Sequence, residues 1–414
     1  HTVPAGAFRG FGVPQGTIAQ EQLYDALAEK VGIDKLEFRI LNALECDSPT
    51  VTGQVLGEGV GIRACFEALQ ARWDQARAAA AAFNTQHSTR PLRRGVGVAG
   101  MWYGCGNTSL PNPSTMRVGL KRDGRIALHQ GAVDIGQGSA TVVTQICAEA
   151  LGAPLDRFDH VSGDTDVTPD CGKTSASRQT FVSGNAAYLA GKALRKEILK
   201  LAGDCECARI HFRDGALLLE VGPKKKAIPL ADLPLDTRGY VASAEATFDP
   251  PTKPLDEDGQ GIPYAVYGFG AHLAEVEVDT ELGSVKVLRL TAAHDVGRAI
   301  NPTLVEGQIE GGAAQGLGMA LMEEFFPGKG ENLHDYLIPT IGDVPTVESI
   351  LIEDPSTVGP FGAKGVGEQA LIPTAPAILN ALYDATGVRI YKLPATPDKV
   401  RAAIVAKSAG ATYV

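Results

Sequence analysis

The stretch AEVEVDTELGSVKVLRL, from Ala274 to Leu290, decides the fold class of this chain. Apolar and charged residues alternate over 274–278, a glycine-containing turn follows at 281–283, and apolar residues resume at 285 and 287. Alternation with a period of two places successive side chains on opposite faces of a strand. The apolar positions change parity at Leu288, which indicates a bulge or a change of buried face. The stretch therefore predicts a two-strand hairpin in an antiparallel sheet.

Strands and helices mix on either side of this hairpin. An Asp123-Gly124 turn between the apolar stretches 116–120 and 125–129 predicts a second hairpin. Apolar residues at helical spacing begin near the N-terminus with Ile18, Leu23, Leu27 and Val31. Helices are expected over about 17–31, 62–83, 141–151, 184–201 and, as the last of the chain, 374–386. Because no regular βαβ alternation is present, the sequence predicts an α+β fold with mixed, largely antiparallel sheets and packed helices.

Length and turn-forming residues predict more than one domain. A chain of 414 residues is too long for a single ordinary core. Prolines and glycines between 48 and 61 break the helical pattern, so we expect residues 1–57 to close a domain begun upstream and residues 58–414 to form a second domain. The polar, basic segment Asn84–Arg94 is expected to be an exposed connector.

Composition narrows the classes of partner and compartment. The formal net charge of −10 argues against nucleic acid as a partner, because phosphate binding requires a basic face. No apolar run approaches the roughly 20 residues that span a bilayer, so no membrane association is expected. The seven cysteines are scattered, and Cys205 and Cys207 lie too close together for the usual metal-knuckle spacing. This pattern predicts a reducing, cytoplasmic location, with the periplasm left open, and no iron–sulfur cluster on this chain.

Polar, glycine-rich segments are the candidates for ligand binding. Glycines let backbone N–H groups approach an anionic ligand, and helix N-termini favour phosphate charge. Taken singly, such segments are more often structural: Gly10 would serve a tight turn, and Glu368 would cap the helix that follows. There is no Gly-x-x-x-x-Gly-Lys-[Ser/Thr] phosphate loop, and no Gly-x-Gly-x-x-Gly opens the chain after a strand, which argues against a nucleotide-binding carrier. The segments are 7–15, 134–141, 171–180 and 362–368.

Together these segments resemble the C-terminal part of the molybdopterin-binding subunit of the xanthine dehydrogenase/aldehyde oxidoreductase family. Ala-Phe-Arg-Gly-Phe-Gly-Val-Pro-Gln at 7–15 is similar to its first cofactor loop, and Lys-Gly-Val-Gly-Glu at 364–368 to the loop with its active-site glutamate. Matching segments follow the family order. The resemblance assigns cofactor binding to Ala7, Phe8, Arg9, Gly10, Phe11, Gly136, Gln137, Gly138, Thr141, Ser175, Ala176, Ser177, Arg178, Asn301, Gln308, Gln315, Lys364, Gly365, Val366 and Gly367.

The resemblance also implies a chemistry. Molybdenum would be held by the pterin dithiolene, with no protein side chain as a metal ligand. Glu368 would act as the base toward a metal-bound hydroxyl, which attacks a carbon of an aldehyde or a purine-like N-heterocycle while a hydride passes to Mo=S. Arg9 would supply fixed positive charge. Trp102 and Tyr103 lie where the family places its substrate channel, although a core role is equally consistent with their sequence.

Cofactors and partners follow from the same resemblance. The pterin is expected as molybdopterin, with the cytosine dinucleotide as one possible form. The [2Fe-2S] clusters and FAD are expected on partner domains or subunits, together with the upstream half of the molybdenum subunit and a higher-order dimer.

Two departures from the family pattern bear on the subgroup. Gly10 follows Arg9, where the related carbon monoxide dehydrogenases carry a copper-binding cysteine, so the hydroxylase branch is favoured. Gln369 stands where many members have proline. The alternative function is a non-catalytic cofactor-binding fragment or module that requires a companion chain.

Overall fold

The computed structural model describes residues 6–201, 203 and 209–410 of the chain. Cys205 and Cys207 lie outside these residues. The helices are α1 (Val13–Val31), α2 (Lys35–Leu41), α3 (Ile62–Gln86), α4 (Ser139–Leu151), α5 (Gly184–Leu201), α6 (Pro302–Leu321), α7 (Thr374–Thr386) and α8 (Pro397–Ser408). The strands are β1 (Leu92–Gly104), β2 (Ser114–Leu120), β3 (Ile126–His129), β4 (Phe158–Val161), β5 (Arg209–Arg213), β6 (Ala216–Val221), β7 (Lys224–Pro229), β8 (Ala242–Phe248), β9 (Tyr267–Asp279), β10 (Val285–Asp295) and β11 (Thr346–Ile352).

One four-stranded sheet, in the order β1-β9-β10-β11, separates two helical layers. Its strands pair antiparallel except for β10 and β11, which are parallel. Val96 and Val98 of β1 pack in the core beneath α3, whereas the neighbouring glycines face α7. A Cβ at Gly95 or Gly97 would meet the backbone of α7, so glycine allows this helix to lie close against the sheet.

A second sheet, in the order β4-β3-β2-β8, is covered by α4 and α5. Met116, Val118 and Leu120 of β2 are fully buried, together with Ile126 and Leu128 of β3, in the core that these helices share. Within the described residues, the strands β5, β6 and β7 form a small antiparallel sheet of their own. None of the helices in the described part of the chain is long and apolar enough to cross a lipid bilayer.

The predicted α+β class is confirmed. Both predicted hairpins form, and the pairing of β9 with β10 shifts register between Val287 and Arg289, where the change of parity indicated a bulge. The prediction that 374–386 is the last helix is wrong, because α8 follows it. The predicted connector at 84–94 is also shorter than expected. Helix α3 continues to Gln86, and β1 begins at Leu92.

Helix α1 buries a polar face. Of the four apolar residues whose spacing predicted the helix, Ile18 is buried, but Leu23, Leu27 and Val31 are exposed, whereas Glu21 and Asp25 are buried. Both carboxylates pair with Arg39 of α2, at 2.7 Å from its Nε and 2.9 Å from its Nη1 respectively. Helical spacing therefore located the helix but not its buried side, because paired charges occupy the core position that apolar residues usually take.

Candidate active site

The N-terminal loop and the loop before Glu368 converge at the edge of the first sheet. The backbone N–H of Gly10 donates to Oε1 of Glu368 at 3.2 Å, and Nε of Arg9 donates to the carbonyl of Gly367 at 2.7 Å. Gly10, Phe11 and Gly12 all adopt left-handed backbone conformations, with φ of 96°, 50° and 86°. A Cβ at Gly10 would lie 2.7 Å from the ring of Pro14, so this turn requires glycine.

Arg9 joins this loop to helix α6. Its Nη1 donates to Oε1 of Gln315 at 3.0 Å, and its Nη2 donates to the carbonyl of Gln308 at 3.1 Å and to Oε1 of Gln308 at 3.3 Å. Burial lowers the pKa of Arg9, and the Glu368 carboxylate opposes that change. An arginine remains charged in any case, so it places a fixed positive charge beside Glu368.

Glu368 is a buried carboxylate in a largely apolar setting. The residue is 9% exposed, and the following residues Ala370, Leu371 and Ile372 are fully buried. Burial raises the pKa of Glu368, while the Gly10 N–H and the Tyr103 hydroxyl oppose the rise. The Tyr103 hydroxyl donates to Oε2 of Glu368 at 2.9 Å. A carboxylate with a raised pKa, fixed by defined donors, can accept a proton closer to neutral pH than an exposed glutamate can.

The third predicted segment packs against the Glu368 loop. Oγ of Ser177 accepts the backbone N–H of Glu368 at 2.9 Å, and Ala176 and Ser177 have left-handed φ values of 53° and 51°. A Cβ at Gly365 would overlap the carbonyl oxygen of Ser177, so the two loops can touch only with glycine there. The structure thus brings together the segments around residues 10, 177 and 367, each of which the sequence analysis assigned to cofactor binding.

The Arg178 side chain faces inward. It is 1% exposed, and its guanidinium donates to Oδ1 of Asn112 at 2.7 Å, to the Pro113 carbonyl at 2.9 Å and to the Lys173 carbonyl at 3.1 Å. These donors are used by the protein itself, and a cofactor contact of Arg178 stays a prediction. Arg178 supports the loop from beneath.

Lys364 is likewise turned away from Glu368. It is 2% exposed, its ammonium pairs with Oδ2 of Asp295, and it donates to the carbonyl of Gly59 at 2.7 Å. Its charge is neutralised by Asp295, but Lys364 also lines the neighbouring cleft, so its cofactor contact stays a prediction. Its contribution is an anchor at the start of the Glu368 loop.

A cleft beside these loops collects residues from several predicted segments. It is an open cleft, lined by Gln137, Asn301, Gln308 and Val366, with Lys364 at its wall. Asn301 also caps α6, accepting the backbone N–H of Leu304 at 3.1 Å. Arg298 lines the same cleft and is exposed, although the sequence analysis did not single it out. The sequence feature that could have identified Arg298 is a positively charged side chain three positions before Asn301.

The loop around Gly136 is shaped by its own side chains. Asp134 accepts the backbone N–H groups of Gly136 at 2.9 Å and of Ala140 at 2.9 Å. Oε1 of Gln137 accepts the N–H of Ile135 at 2.6 Å, and Thr141 is exposed at the start of α4. These contacts hold the loop in a defined conformation at the rim of the cleft.

The two predicted channel residues lie on opposite faces of β1. Tyr103 faces Glu368, whereas the Trp102 ring packs against Tyr267 with 4.7 Å between ring centroids, in the core beneath α3. Successive residues of a strand point in opposite directions, so the two side chains cannot both reach the site. The core alternative therefore holds for Trp102.

The arrangement fits a bulky, polar, anionic ligand. Space is open beside Gly12, beside Gly136, and beside Gly307 and Gly311 on one face of α6. Oγ of Ser175 is buried without a hydrogen-bond partner among the described residues. Open glycine surfaces, amide side chains and the Arg298 cation are the groups that a phosphate-bearing heterocycle requires.

Comparison with known proteins decides the family. A family model described as a molybdopterin cofactor-binding domain matches residues 68–345. The chain belongs to this molybdopterin cofactor-binding family. A second model with the same description matches residues 1–43. Glu368 lies beyond both matched regions, and the longer alignments with individual relatives include most of the chain.

Proteins named as xanthine dehydrogenase and aldehyde oxidoreductase are among the relatives of this molybdopterin cofactor-binding family member. The xanthine dehydrogenase molybdenum-binding subunit of Escherichia coli O157:H7 is 34% identical over 419 residues, covering 96% of this chain and 53% of that subunit. The aldehyde oxidoreductase of Megalodesulfovibrio gigas is 35% identical over 409 residues, covering 97% and 42% respectively. The crystal structure of quinoline 2-oxidoreductase from Pseudomonas putida 86 matches with a TM-score of 0.82 and 28% identity, covering 97% and 53%. The chain thus spans about half the length of these relatives.

Proposed function

We propose that this chain forms the base-bearing half of the molybdenum subunit of a hydroxylase, with Glu368 as the catalytic base. The observation that carries the proposal is the environment of Glu368: a 9% exposed carboxylate, with a pKa raised by burial, set between the Arg9 loop and the Ser177 loop. The substrates would be aldehydes or electron-poor N-heterocycles. The names of the relatives, which include xanthine, aldehyde and quinoline oxidoreductases, support this class.

Each residue of the site would have a role that follows from its position. Bound molybdopterin would supply the molybdenum centre that accepts two electrons from the substrate. Glu368 would take the proton from the attacking hydroxyl oxygen, and Tyr103 would hold the carboxylate in one orientation. The charge of Arg9 would stabilise negative charge that develops beside Glu368. Gln137, Asn301 and Arg298 would hold polar groups of the pterin and its phosphate along the cleft.

The remainder of the enzyme belongs to the same proposal. Electrons would leave through [2Fe-2S] clusters and FAD on partner domains or subunits, and the upstream half of the molybdenum subunit would complete the cofactor site. Residues 1–57 would close that upstream domain and residues 58–414 would form the second one, in a cytoplasmic, dimeric complex. If the pterin carries the cytosine dinucleotide, Asn301 would be one of the residues that hold it.

A second candidate is a cofactor-binding module without catalytic activity of its own. The observation that favours it is that Glu368 also joins two loops, since its Oε1 accepts the Gly10 N–H at 3.2 Å and its backbone N–H donates to Oγ of Ser177 at 2.9 Å. Under this alternative, Glu368 serves only to stabilise the loop, and changing it would lower stability and leave catalysis by the companion chain intact.

Substitution of Glu368 by Gln in the whole enzyme distinguishes the two. Glutamine keeps the size and most hydrogen bonding of glutamate but cannot act as the base. We expect the rate at which substrate reduces the cofactor to fall by about 10²–10⁴-fold, with molybdenum and pterin content near normal. The matched control is Glu323→Gln, since Glu323 also accepts a tyrosine hydroxyl, that of Tyr336 at 2.7 Å. Near-normal reduction by the Glu368→Gln enzyme would exclude Glu368 as the base.

A further inference from the structure

The side chain of Gln369 is fully engaged between the two loops that hold Glu368. It is 2% exposed. Its Oε1 accepts the backbone N–H of Gly367 at 2.9 Å and the hydroxyl of Ser177 at 2.9 Å, and its Nε2 donates to the carbonyl of Gly365. A Cβ at Gly268 of β9 would lie 2.5 Å from that Nε2, so the strand leaves room for the amide.

These partners fix which way the amide points. The N–H of Gly367 can only donate and the carbonyl of Gly365 can only accept, so the oxygen of the Gln369 amide must face Gly367. That oxygen also faces Oγ of Ser177, and an amide oxygen cannot donate. Ser177 must therefore be the donor in this contact.

The hydroxyl proton of Ser177 is consequently directed away from Glu368. A serine hydroxyl has one proton, and the shorter contact is with Gln369, at 2.9 Å, against 3.5 Å to Oε2 of Glu368. The Ser177 oxygen accepts the backbone N–H of Glu368 at 2.9 Å. Ser177 therefore positions the backbone of Glu368 without donating to its carboxylate.

We propose that Gln369 is a positioning residue that keeps the Ser177 proton from the Glu368 carboxylate and so preserves that carboxylate as a strong acceptor. The inference rests on the proposed role of Glu368 and adds a second residue to it. Without the Gln369 acceptor, the Ser177 hydroxyl would rotate toward Oε2 of Glu368. A hydrogen bond to the charged form of a carboxylate favours that form and weakens it as a base.

Other groups also face Glu368, and one of them contacts Gln369, since the Gln369 amide nitrogen donates to the Cys105 sulfur at 3.6 Å. The Tyr103 hydroxyl on β1 donates at 2.9 Å, the Arg9 charge lies on the N-terminal loop, and the Cys105 thiol lies beyond the end of β1. Burial raises the pKa of Cys105 to about 12, so this thiol stays neutral at ordinary pH. A change confined to Gln369 and Ser177 therefore isolates the hydroxyl proton.

The experiment measures the titration of Glu368 in the whole enzyme that carries Gln369→Met. Methionine keeps the length of the side chain but removes the amide oxygen and nitrogen. Two measurements follow Glu368. One is the pH dependence of substrate-driven cofactor reduction. The other is the infrared band of the protonated Glu368 carboxyl, isolated by subtracting the spectrum of the Glu368→Gln enzyme. We expect both midpoints to fall by roughly half to one pH unit, the size of one neutral hydrogen bond. The control is Gln130→Met, which removes a buried amide on another sheet.

A double variant tests whether the effect passes through Ser177. With Ser177→Ala in place there is no hydroxyl proton to redirect, so adding Gln369→Met should move the midpoint by less than about 0.2 unit. An unchanged midpoint in Gln369→Met alone, or an equal fall in the Ser177→Ala background, overturns the inference.

If Gln369→Met does not fold, Ser177→Ala alone still tests the inference, since a rise of the midpoint by roughly half a unit or more would mean that Ser177 donates to Glu368. Normal reduction by Glu368→Gln would remove the proposed function, while the infrared midpoint would still report on Gln369.

Discussion

The Tyr103 hydroxyl donates to the Glu368 carboxylate at 2.9 Å across 265 residues of sequence. Tyr103 belongs to β1, which pairs with β9 along its whole length and packs against α7. The donor therefore comes from one of the most constrained strands of the molecule, and it fixes a carboxylate that lies on an irregular loop. A base that must reach one atom of a substrate complex benefits from such a fixed reference.

Replacing Tyr103 with Phe should move the pH profile of the enzyme. The lost hydroxyl stabilised the ionised form of Glu368, so the pKa of that carboxyl should rise further above its usual range. Because the proposed base acts when deprotonated, the acidic limb of cofactor reduction should move to higher pH, by roughly half to one unit. The measurement is the rate of single-turnover reduction against pH. Trp102→Phe, on the opposite face of β1, is the control and should leave the limb in place. An unshifted limb in Tyr103→Phe would contradict the assigned hydrogen bond.

Removing one partner of the buried ion pair between Lys364 and Asp295 should lower the free energy of unfolding strongly. Removing both charges together should lower it much less. Lys364→Met leaves the Asp295 carboxylate buried without its cation, and we expect a loss of about 3–5 kcal/mol in the free energy of unfolding. The double variant Lys364→Met/Asp295→Asn also removes the negative charge. The asparagine keeps an oxygen that can accept the Gly297 N–H, whose nitrogen lies 2.9 Å from Oδ1 of Asp295. Much of the stability should return in this double variant, as measured by urea unfolding. A double variant no more stable than Lys364→Met would show that the charge is not what matters.

His272 and His294 should make the fold sensitive to acid. Their Nε2 atoms lie 2.7 Å apart in the core, and Nδ1 of His272 lies 2.9 Å from Oγ1 of Thr374. Burial lowers the pKa of His272 well below the ordinary 6.5, and burial with the nearby Arg9 charge lowers that of His294 to about 3. The folded protein therefore keeps both rings neutral where an unfolded chain would protonate them.

The sign of the effect follows from linkage. Above pH 6.5 the rings are neutral in both the folded and the unfolded chain, and the free energy of unfolding is not reduced. As the pH falls from 6.5 toward 3, the unfolded chain binds protons that the folded chain excludes, so the folded state loses stability. We expect His272→Gln to flatten the slope of unfolding free energy against pH in this window, by up to about 1.4 kcal/mol per pH unit for each proton no longer taken up. Urea unfolding at several pH values measures the slope. The exposed His334→Gln is the control, and a slope unchanged by His272→Gln would argue against a neutral pair.

The sequence predicted features that depend on local pattern. The hairpins β2–β3 and β9–β10 follow from alternation over a few residues, and even the bulge after Val287 is visible as a change of parity. Alternation of this kind is complete within a short segment, so no tertiary information is needed to recognise it. The candidate cofactor loops were identified instead by their joint resemblance to a known family, since each glycine-rich segment taken singly is more often structural.

Features that depend on distant packing were not predictable in the same way. Helix α6 was not predicted, because its five glycines disfavour a helix when considered alone. In the fold, Gly312 and Gly316 allow it to lie against Ala370 and Thr374, which only the tertiary structure reveals. The inward turn of Lys364 was missed for a similar reason, since its partner Asp295 is 69 residues away.

Contact between Gly365 and Ser177 limits how the substrate range of such an enzyme can be altered in the laboratory. Neither loop tolerates added bulk where they meet, because any side chain at 365 would overlap the Ser177 carbonyl. Loop grafting between relatives should therefore exchange the two segments together, although nearly 190 residues separate them. In a library that varies one loop while the other is kept fixed, most variants would be unable to form the contact between the two loops that hold Glu368.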